Sequence, residues 1–152
     1  MIFEDWDNQY DGAAKHTAFY QHTLGQYVKY FAGKQAAFAH VQGPQRPPHP
    51  TPVRWSWPHW GLPSPEPGTP QHHHCGVGMV DAVVDYLDPN FVGLRTEDAM
   101  YRFFDRNAFG AVMGMTIHLF ADGADADTAG DAWGAWFNGL YAQPIRTSRN
   151  SA

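Results

Sequence analysis

Residues 44–70 read PQRPPHPTPVRWSWPHWGLPSPEPGTP, and this stretch divides the chain into three parts. It holds ten of the 12 prolines in the sequence. Proline fixes φ and lacks a backbone donor, so neither a helix nor a central strand is expected here. The sequence therefore predicts an extended arm over 44–70, an N-terminal helix within 1–43, and a helical body over 71–152. The body and the N-terminal helix are expected to form a single domain.

Three tryptophans lie at the centre of this arm, at Trp55, Trp57 and Trp60. A disordered linker is usually poor in aromatic residues, and three indoles are costly to leave in water. Large rings with one N–H donor are typical anchors of protein interfaces. We expect the three tryptophans to bind another protein chain. Folding of the arm back over its own core and a mobile linker are the alternatives.

Hydrophobic spacing predicts the first helix after Asp11, a residue type that favours a helix N-cap. Four aromatic or aliphatic residues then follow at helical steps and predict one buried stripe: Tyr20, Leu24, Tyr27 and Phe31. The alanines and phenylalanine of 36–38 extend this helix in the prediction. Gly43 and Pro44 end it, because proline cannot continue the hydrogen-bond ladder.

The body after residue 71 also shows helical spacing. A second helix is predicted from residues at steps of three, four and three: Val77, Val80, Val84 and Leu87. A third is predicted from Thr96, with its buried side marked by Met100, Phe103 and Phe104. The residue types of Met115–Phe120 suit a strand.

The final helix is predicted from about Thr128, capped by Asp127 and ended by Pro144. Its buried residues are expected to be Trp133, Trp136, Phe137 and Leu140. The predicted fold class is thus mainly α: a small helical domain with a long proline-rich extended arm and at most one short strand pair.

Composition excludes some classes of function. The 152 residues carry a net charge of −5, which argues against a nucleic-acid binder or a protein that docks on anionic lipid. Only 16% of residues are charged and 15% are aromatic, a bias that interface cores share. The longest uncharged apolar run, 107–121, is too short for a membrane span. No cleavable signal or presequence is seen, so an intracellular location is expected, with assembly in an organelle or a virion left open.

Cys75 is the one cysteine and the sharpest candidate for chemistry. It is predicted to open the second helix, where the helix dipole favours a thiolate. Gln71 is placed to donate to an oxyanion, while His118 and Asp122 follow later in the chain. The run His74-Cys75-Gly76-Val77-Gly78-Met79-Val80 resembles the nucleophile region of papain-like cysteine hydrolases. That resemblance implies a Cys75–His118 pair, although fewer residues separate the two than in that family.

The histidine run before Cys75 is the candidate for metal binding. In an extended segment His72 and His74 share a face and supply two ligands at most. Zinc sites usually need four converging ligands, so no metal and no other cofactor is expected.

Three hypotheses follow for function. The leading one is a non-catalytic accessory or structural subunit that docks on other protein subunits of a large complex through its aromatic arm. In compositional style the chain is similar to supernumerary subunits of respiratory-type complexes and to minor structural proteins of virions. The alternatives are a cysteine hydrolase or transferase that uses Cys75 and His118, and a small acidic inhibitor or immunity-type binding protein.

Overall fold

The computed structural model describes residues 6–43, 68–75, 78–106, 109 and 111–142. The chain begins with one helix, continues through six strands and closes with a second helix. In chain order the elements are α1 (Trp6–Tyr30), β1 (Ala37–Gln42), β2 (Pro70–Cys75), β3 (Gly78–Leu87), β4 (Phe91–Arg95), β5 (Ala99–Phe104), β6 (Gly114–Leu119) and α2 (Ala126–Ala142).

The six strands form one sheet in the order β1-β6-β5-β4-β3-β2, and every neighbouring pair is antiparallel. The strands from β2 to β6 form a meander, since each pairs with the next. β1 joins the far side of β6 and forms the opposite edge from β2. The prediction of a mainly α fold is therefore wrong: the body of the domain is an antiparallel sheet.

A helix packs on each face of this sheet. The larger core lies on the α2 face, where Trp133 and Phe137 pack against alternate residues of the strands. Two smaller clusters lie on the α1 face, centred on Phe19 and on Phe31. The sheet is thus the middle layer of three, and its two faces differ in chemistry.

The second predicted helix is β3, and a β-bulge explains the error. Val80 and Val84 face the α2 core, as alternate positions of a strand do. The register shifts between Val84 and Tyr86, so the extra residue returns Leu87 to the same face as Val84. A strand of period two with one inserted residue therefore imitates the spacing of a helix. Cys75, expected to open this helix, lies in β2 instead.

The third predicted helix is β5, a strand buried along its whole length. Met100 belongs to the α1 face and Phe103 to the α2 face, so they do not share one helical side. Because a helix covers each face of the sheet, apolar residues occupy both the odd and the even positions of β5. The alternation of apolar and polar residues that identifies a strand is therefore lost.

The first helix exists, but its buried side differs from the prediction. α1 begins at Trp6 rather than after Asp11, and its helical turns end at Tyr30. Phe31 is buried and Tyr27 is partly buried, whereas Tyr20 and Leu24 are exposed. The segment 36–38, predicted to extend the helix, turns into β1.

Two predictions near the C-terminus are confirmed. The strand expected over Met115–Phe120 is β6, and the final helix is α2, with Trp133 and Phe137 buried. Its cap lies two residues earlier than predicted. Asp125, not Asp127, accepts the backbone N–H groups of residues 127 and 128, at 3.0 and 3.1 Å. Within the described part of the chain, neither helix has the length and hydropathy needed to cross a membrane.

Candidate functional site

The interface between α1 and the sheet contains a set of polar and charged side chains beside its two apolar clusters, and we call this set the polar interface. Phe19 lies at its centre and is fully buried. His16, His22 and Gln26 flank it at helical steps of three or four, so they occupy the same side of α1. Each of these three side chains meets a charged residue of the sheet layer.

The central charge is a buried ion pair between Arg102 of β5 and Asp85 of β3. The Arg102 side chain is 1% exposed and that of Asp85 is 4% exposed. Nη1 of Arg102 donates to Oδ1 of Asp85, and Nη2 donates to Oδ2 at 2.9 Å. Nη2 also contacts the sulfur of Met100 at 3.1 Å, and the guanidinium lies 5.6 Å from the Phe19 ring centre. This bidentate geometry is the strongest arrangement of an arginine and a carboxylate.

Two features of the backbone make the pair possible. The bulge of β3 turns Asp85 toward the α1 face, next to Tyr86. Between β3 and β5 runs β4, in which Gly93 is paired with Arg102. A Cβ at Gly93 would overlap both the guanidinium and the carboxylate, and would lie 3.1 Å from Cβ of Tyr86. Glycine is therefore required at this position so that Arg102 reaches across β4.

Two nitrogen atoms beside the pair have no hydrogen-bond partner among the described residues. They are Nε of Arg102 and Nε2 of His22. His22 Nε2 lies 4.0 Å from Oδ1 of Asp85, and its ring packs on Tyr86 at 5.1 Å between centres. His22 stands over the pair from the helix, so α1 closes the cluster from above. The pair is too deeply buried to meet a substrate without movement of α1.

Two further cations support α1 on either side of the pair. Nε of Arg106 donates to Nε2 of His16 at 3.2 Å, and its guanidinium lies 4.8 Å from the ring centre of Phe104. Nε of Arg95 donates to Oε1 of Gln26 at 3.0 Å, and its guanidinium lies 3.7 Å from the ring centre of Tyr30. The helix is thus fixed at three points along its length.

His118 lies in β6 on the same face of the sheet, beside the covered region. Its Nε2 is 3.3 Å from Oγ1 of Thr116, and its ring packs edge-on against Phe38 at 5.1 Å. Burial, and secondarily the positive charge of Arg102, lower the pKa of His118 to about 4. His118 is therefore neutral at physiological pH and donates or accepts one hydrogen bond per ring nitrogen.

This pKa predicts a loss of stability in mild acid. The folded state holds His118 neutral while the unfolded chain binds a proton near pH 6.5. The free energy of unfolding should therefore fall as the pH drops from about 6.5 to about 4. We expect His118→Gln to flatten that part of a stability profile from urea unfolding at several pH values. A ring of His118 that titrates above pH 6 by NMR would contradict the assignment.

An apolar stripe on α1 faces solvent. Tyr20, Leu24 and Val28 recur at steps of four and are 53%, 62% and 61% exposed. We call these three residues the α1 stripe. Tyr20 also packs on Phe104 of β5, at 5.8 Å between ring centres, and Phe38 of β1 is 55% exposed. Tyr10 and Tyr30 of α1 are exposed as well, at 72% and 42%.

The candidates for catalysis are not brought together. Cys75 ends the edge strand β2, whereas His118 belongs to β6, and three strands lie between them. Strands are about 4.8 Å apart, so the two backbones are separated by roughly 19 Å or more. Gln71 is in β2, and Asp122 is an exposed residue of the turn before α2. No shared site connects Cys75, His118 and Asp122.

The remaining candidates are tested less directly. His72 and His74 lie in β2, where the backbone is extended. Among the described residues no three His, Cys, Asp or Glu side chains converge on one point. The side chains of His72 and His74 are not among the described parts of the chain. Trp55, Trp57 and Trp60 lie outside the described residues, so their role stays a prediction.

Sequence reasoning missed Asp85 and Arg102, whose side chains are 4% and 1% exposed. A signal was present in their neighbours. Asp85 stands in Val83-Val84-Asp85-Tyr86-Leu87, and Arg102 has aromatic residues on both sides. A single charge within a strongly apolar run is costly to bury unless it is paired. Two such charges of opposite sign predict a buried pair.

Comparison of the chain with protein-family models, with curated proteins and with solved structures found no match.

Proposed function

We propose that the chain is a non-catalytic subunit that binds another protein of a larger assembly through the α1 stripe. The observation that carries this proposal is the exposure of Tyr20, Leu24 and Val28 in one line along α1. Contiguous exposed apolar side chains on a domain surface are typical of interaction sites. Regular steps of four residues are typical of a helix that docks into an apolar groove.

The layer beneath α1 supports this role. Arg95, Arg106 and the Asp85–Arg102 pair hold the helix from below, through polar contacts on its inner side. A rigid helix loses little conformational entropy when it binds, which favours affinity. The polar interface therefore serves to present the stripe in a fixed orientation.

The structure bears differently on the two alternative functions, a cysteine hydrolase or transferase and an acidic inhibitor. The separation of Cys75 from His118 gives no support to a cysteine hydrolase or transferase. An acidic inhibitor stays open as a prediction and is distinguishable by salt. Charge-driven association with a basic partner weakens strongly as salt rises, whereas docking of an apolar stripe does not.

A double substitution tests the proposal. We expect the tagged chain in native extract of its source to elute well above its own 17.0 kDa. Leu24→Asp with Val28→Asp should return at least about 90% of it to the monomer position, because two charges would have to be desolvated in the interface. Size-exclusion chromatography with native mass measurement reads both states, and the purified chain alone shows whether self-association contributes.

Ala18→Asp is the matched control. Ala18 is exposed on α1 but lies on a different side from the stripe, so it adds charge without touching the proposed surface. It should elute with the wild type. An extract in which the wild type elutes as a monomer, or in which the double variant stays in the assembly, would exclude docking through the stripe.

A further inference from the structure

β1 forms one edge of the sheet, and half of its backbone groups point away from the neighbouring strand β6. The N–H of Gly43 donates to the carbonyl of Met113 at 2.8 Å, which fixes the alternation of hydrogen bonds along the strand. In an antiparallel pair the bonded residues alternate with residues whose N–H and C=O groups face outward. Counted back from Gly43 through the register of β1 with β6, the outward-facing residues are Phe38, His40 and Gln42.

A contact with α2 confirms this alternation. The carbonyl of Gln42 accepts a hydrogen bond from Nδ2 of Asn138 at 3.3 Å, so it faces away from β6. Among the described residues no strand pairs with the outer side of β1, and neither Phe38 nor His40 has a backbone partner there. We call the outward-facing backbone groups of Phe38 and His40 the open edge. It offers N–H donors and carbonyl acceptors, and Asn138 closes one end of it.

β1 lacks the features that usually keep a sheet edge from pairing. Exposed edges in native proteins are protected by charged side chains, by proline, by bulges or by a very short strand. β1 has six residues in unbroken register with β6, and Ala37–Gln42 contains no proline and no Asp, Glu, Lys or Arg. Such an edge is a template for another strand.

A groove of about 750 Å³ lies beside this edge, between β1 and α2. The helix passes close over the strand, because a Cβ at Gly130 would lie 3.3 Å from Cβ of Ala39. One turn later, a Cβ at Gly134 would lie 3.5 Å from Cγ1 of Val41. Both glycines and Ala135 line the groove, and their small size keeps it open. An added strand would lie about 4.8 Å from β1, with α2 covering one of its sides.

The charged residues of the groove indicate the chemistry of the strand that fits it. Asp127 and Asp131 line the groove from α2, and both are exposed. They are four residues apart and therefore lie on one side of the helix. None of the described residues that line the groove is a lysine or an arginine. Complementary charge attracts a partner and like charge excludes it, so the groove favours a segment that carries Lys or Arg.

A second copy of this chain is a less favourable occupant. Two β1 strands paired antiparallel about a two-fold axis would place both α2 helices on the same face of the joined sheet. Asp127 and Asp131 of one helix would then face the same residues of the other across the joined edge. Their like charges oppose this pairing, whereas a basic segment of another protein neutralises them.

We propose that the open edge binds an extended, basic segment of another protein, which pairs with Phe38 and His40 as an added strand and lies in the groove between β1 and α2. In this mode of recognition backbone hydrogen bonds supply the affinity, and side chains at alternate positions supply the specificity. The open edge belongs to a different element from the α1 stripe. The inference goes beyond the proposed function and does not depend on it.

The test uses a phage-displayed library of linear peptides of about 12 residues, longer than a strand of ordinary length, selected on the purified full-length chain. We expect the recovered peptides to contain more Lys and Arg than Asp and Glu. In the complex, amide hydrogen exchange at Phe38 and His40 should slow by at least about 10-fold, because these N–H groups gain partners. The N–H groups of Ala39 and Val41 face β6 in both states and should exchange as before.

Substitutions on the edge and in the groove test the two parts of the site. His40→Pro removes an outward N–H but no hydrogen bond to β6, and should weaken peptide binding by at least about 10-fold. His40→Ala is the matched control, since it keeps the N–H, and should change the Kd by less than about 2-fold. Asp127→Asn with Asp131→Asn should weaken binding by at least about 3-fold. Asp7→Asn with Asp122→Asn removes two exposed charges outside the groove and should leave binding unchanged.

Three results would overturn the proposal. The first is a set of recovered peptides that leave the amides of Phe38 and His40 unprotected, a measurement that needs no variant that folds. The second is a library that yields no binder. The third is a purified chain that dimerises and becomes monomeric with His40→Pro, because the occupant is then a second copy and not a basic segment.

Discussion

Replacing Asp85 with alanine is expected to lower the free energy of unfolding by about 3–5 kcal/mol. The substitution leaves the guanidinium of Arg102 uncompensated at 1% exposure, with its Nε already unpartnered among the described residues. Domains of this size are stable by about 5–15 kcal/mol, so the variant should be at the margin of folding. Urea unfolding at pH 7, followed by circular dichroism, measures the change.

A second substitution separates charge from packing. In Asp85→Leu with Arg102→Met, no charge is left buried, and apolar groups of similar volume replace the pair. Such replacements of buried ion pairs are often neutral or stabilising, so the double variant should recover most of the lost stability. If Asp85→Ala alone costs less than about 1 kcal/mol, the pair is not buried in solution.

Replacing Gly93 with alanine is expected to cost about 3 kcal/mol. The new methyl group would occupy space now taken by the guanidinium of Arg102 and the carboxylate of Asp85. Elsewhere within a strand, replacing glycine with alanine is expected to raise stability. A loss of stability at Gly93 is therefore attributable to the arginine side chain that crosses β4 at this residue. Thermal and urea unfolding give the measurement.

Gly25→Ala is the matched control for that experiment. Gly25 lies in the interior of α1, and a Cβ there would meet nothing within 4 Å. Removing glycine from a helix should stabilise the protein by up to about 1 kcal/mol. A Gly93→Ala variant as stable as the wild type would show that Arg102 does not reach Asp85 across β4.

The sequence allowed the periphery of the fold to be predicted better than its centre. α2 is amphipathic and covers one face of the sheet, so the spacing of Trp133 and Phe137 correctly indicates a helix. β3 and β5 lie between two helical layers. In β5, burial on both faces removes the alternation of apolar and polar residues. In β3, the bulge gives the apolar residues the spacing of a helix. A helical reading of these strands follows from local pattern, and only their pairing with β4 corrects it.

The same limit applies to the candidate sites. His118 was singled out for catalysis with Cys75, because nothing in the linear sequence reveals that three strands separate them. Tyr20 and Leu24 were expected in the core because helical spacing alone does not tell which side of a helix is covered. In α1 the covered side is marked by polar residues, His16, His22 and Gln26, which pattern analysis assigns to solvent.

The position of β1 also determines when this sheet can be completed on the ribosome. Neighbouring strands from β2 to β6 follow one another in the chain and can pair as they emerge during synthesis. β1 is made before the other strands of the sheet but pairs with β6, as in Ala37 with Leu119, so it waits until β6 has been translated. Such a long-range closure is slow to form, and the nascent chain meanwhile exposes an unpaired strand to aggregation and to chaperones.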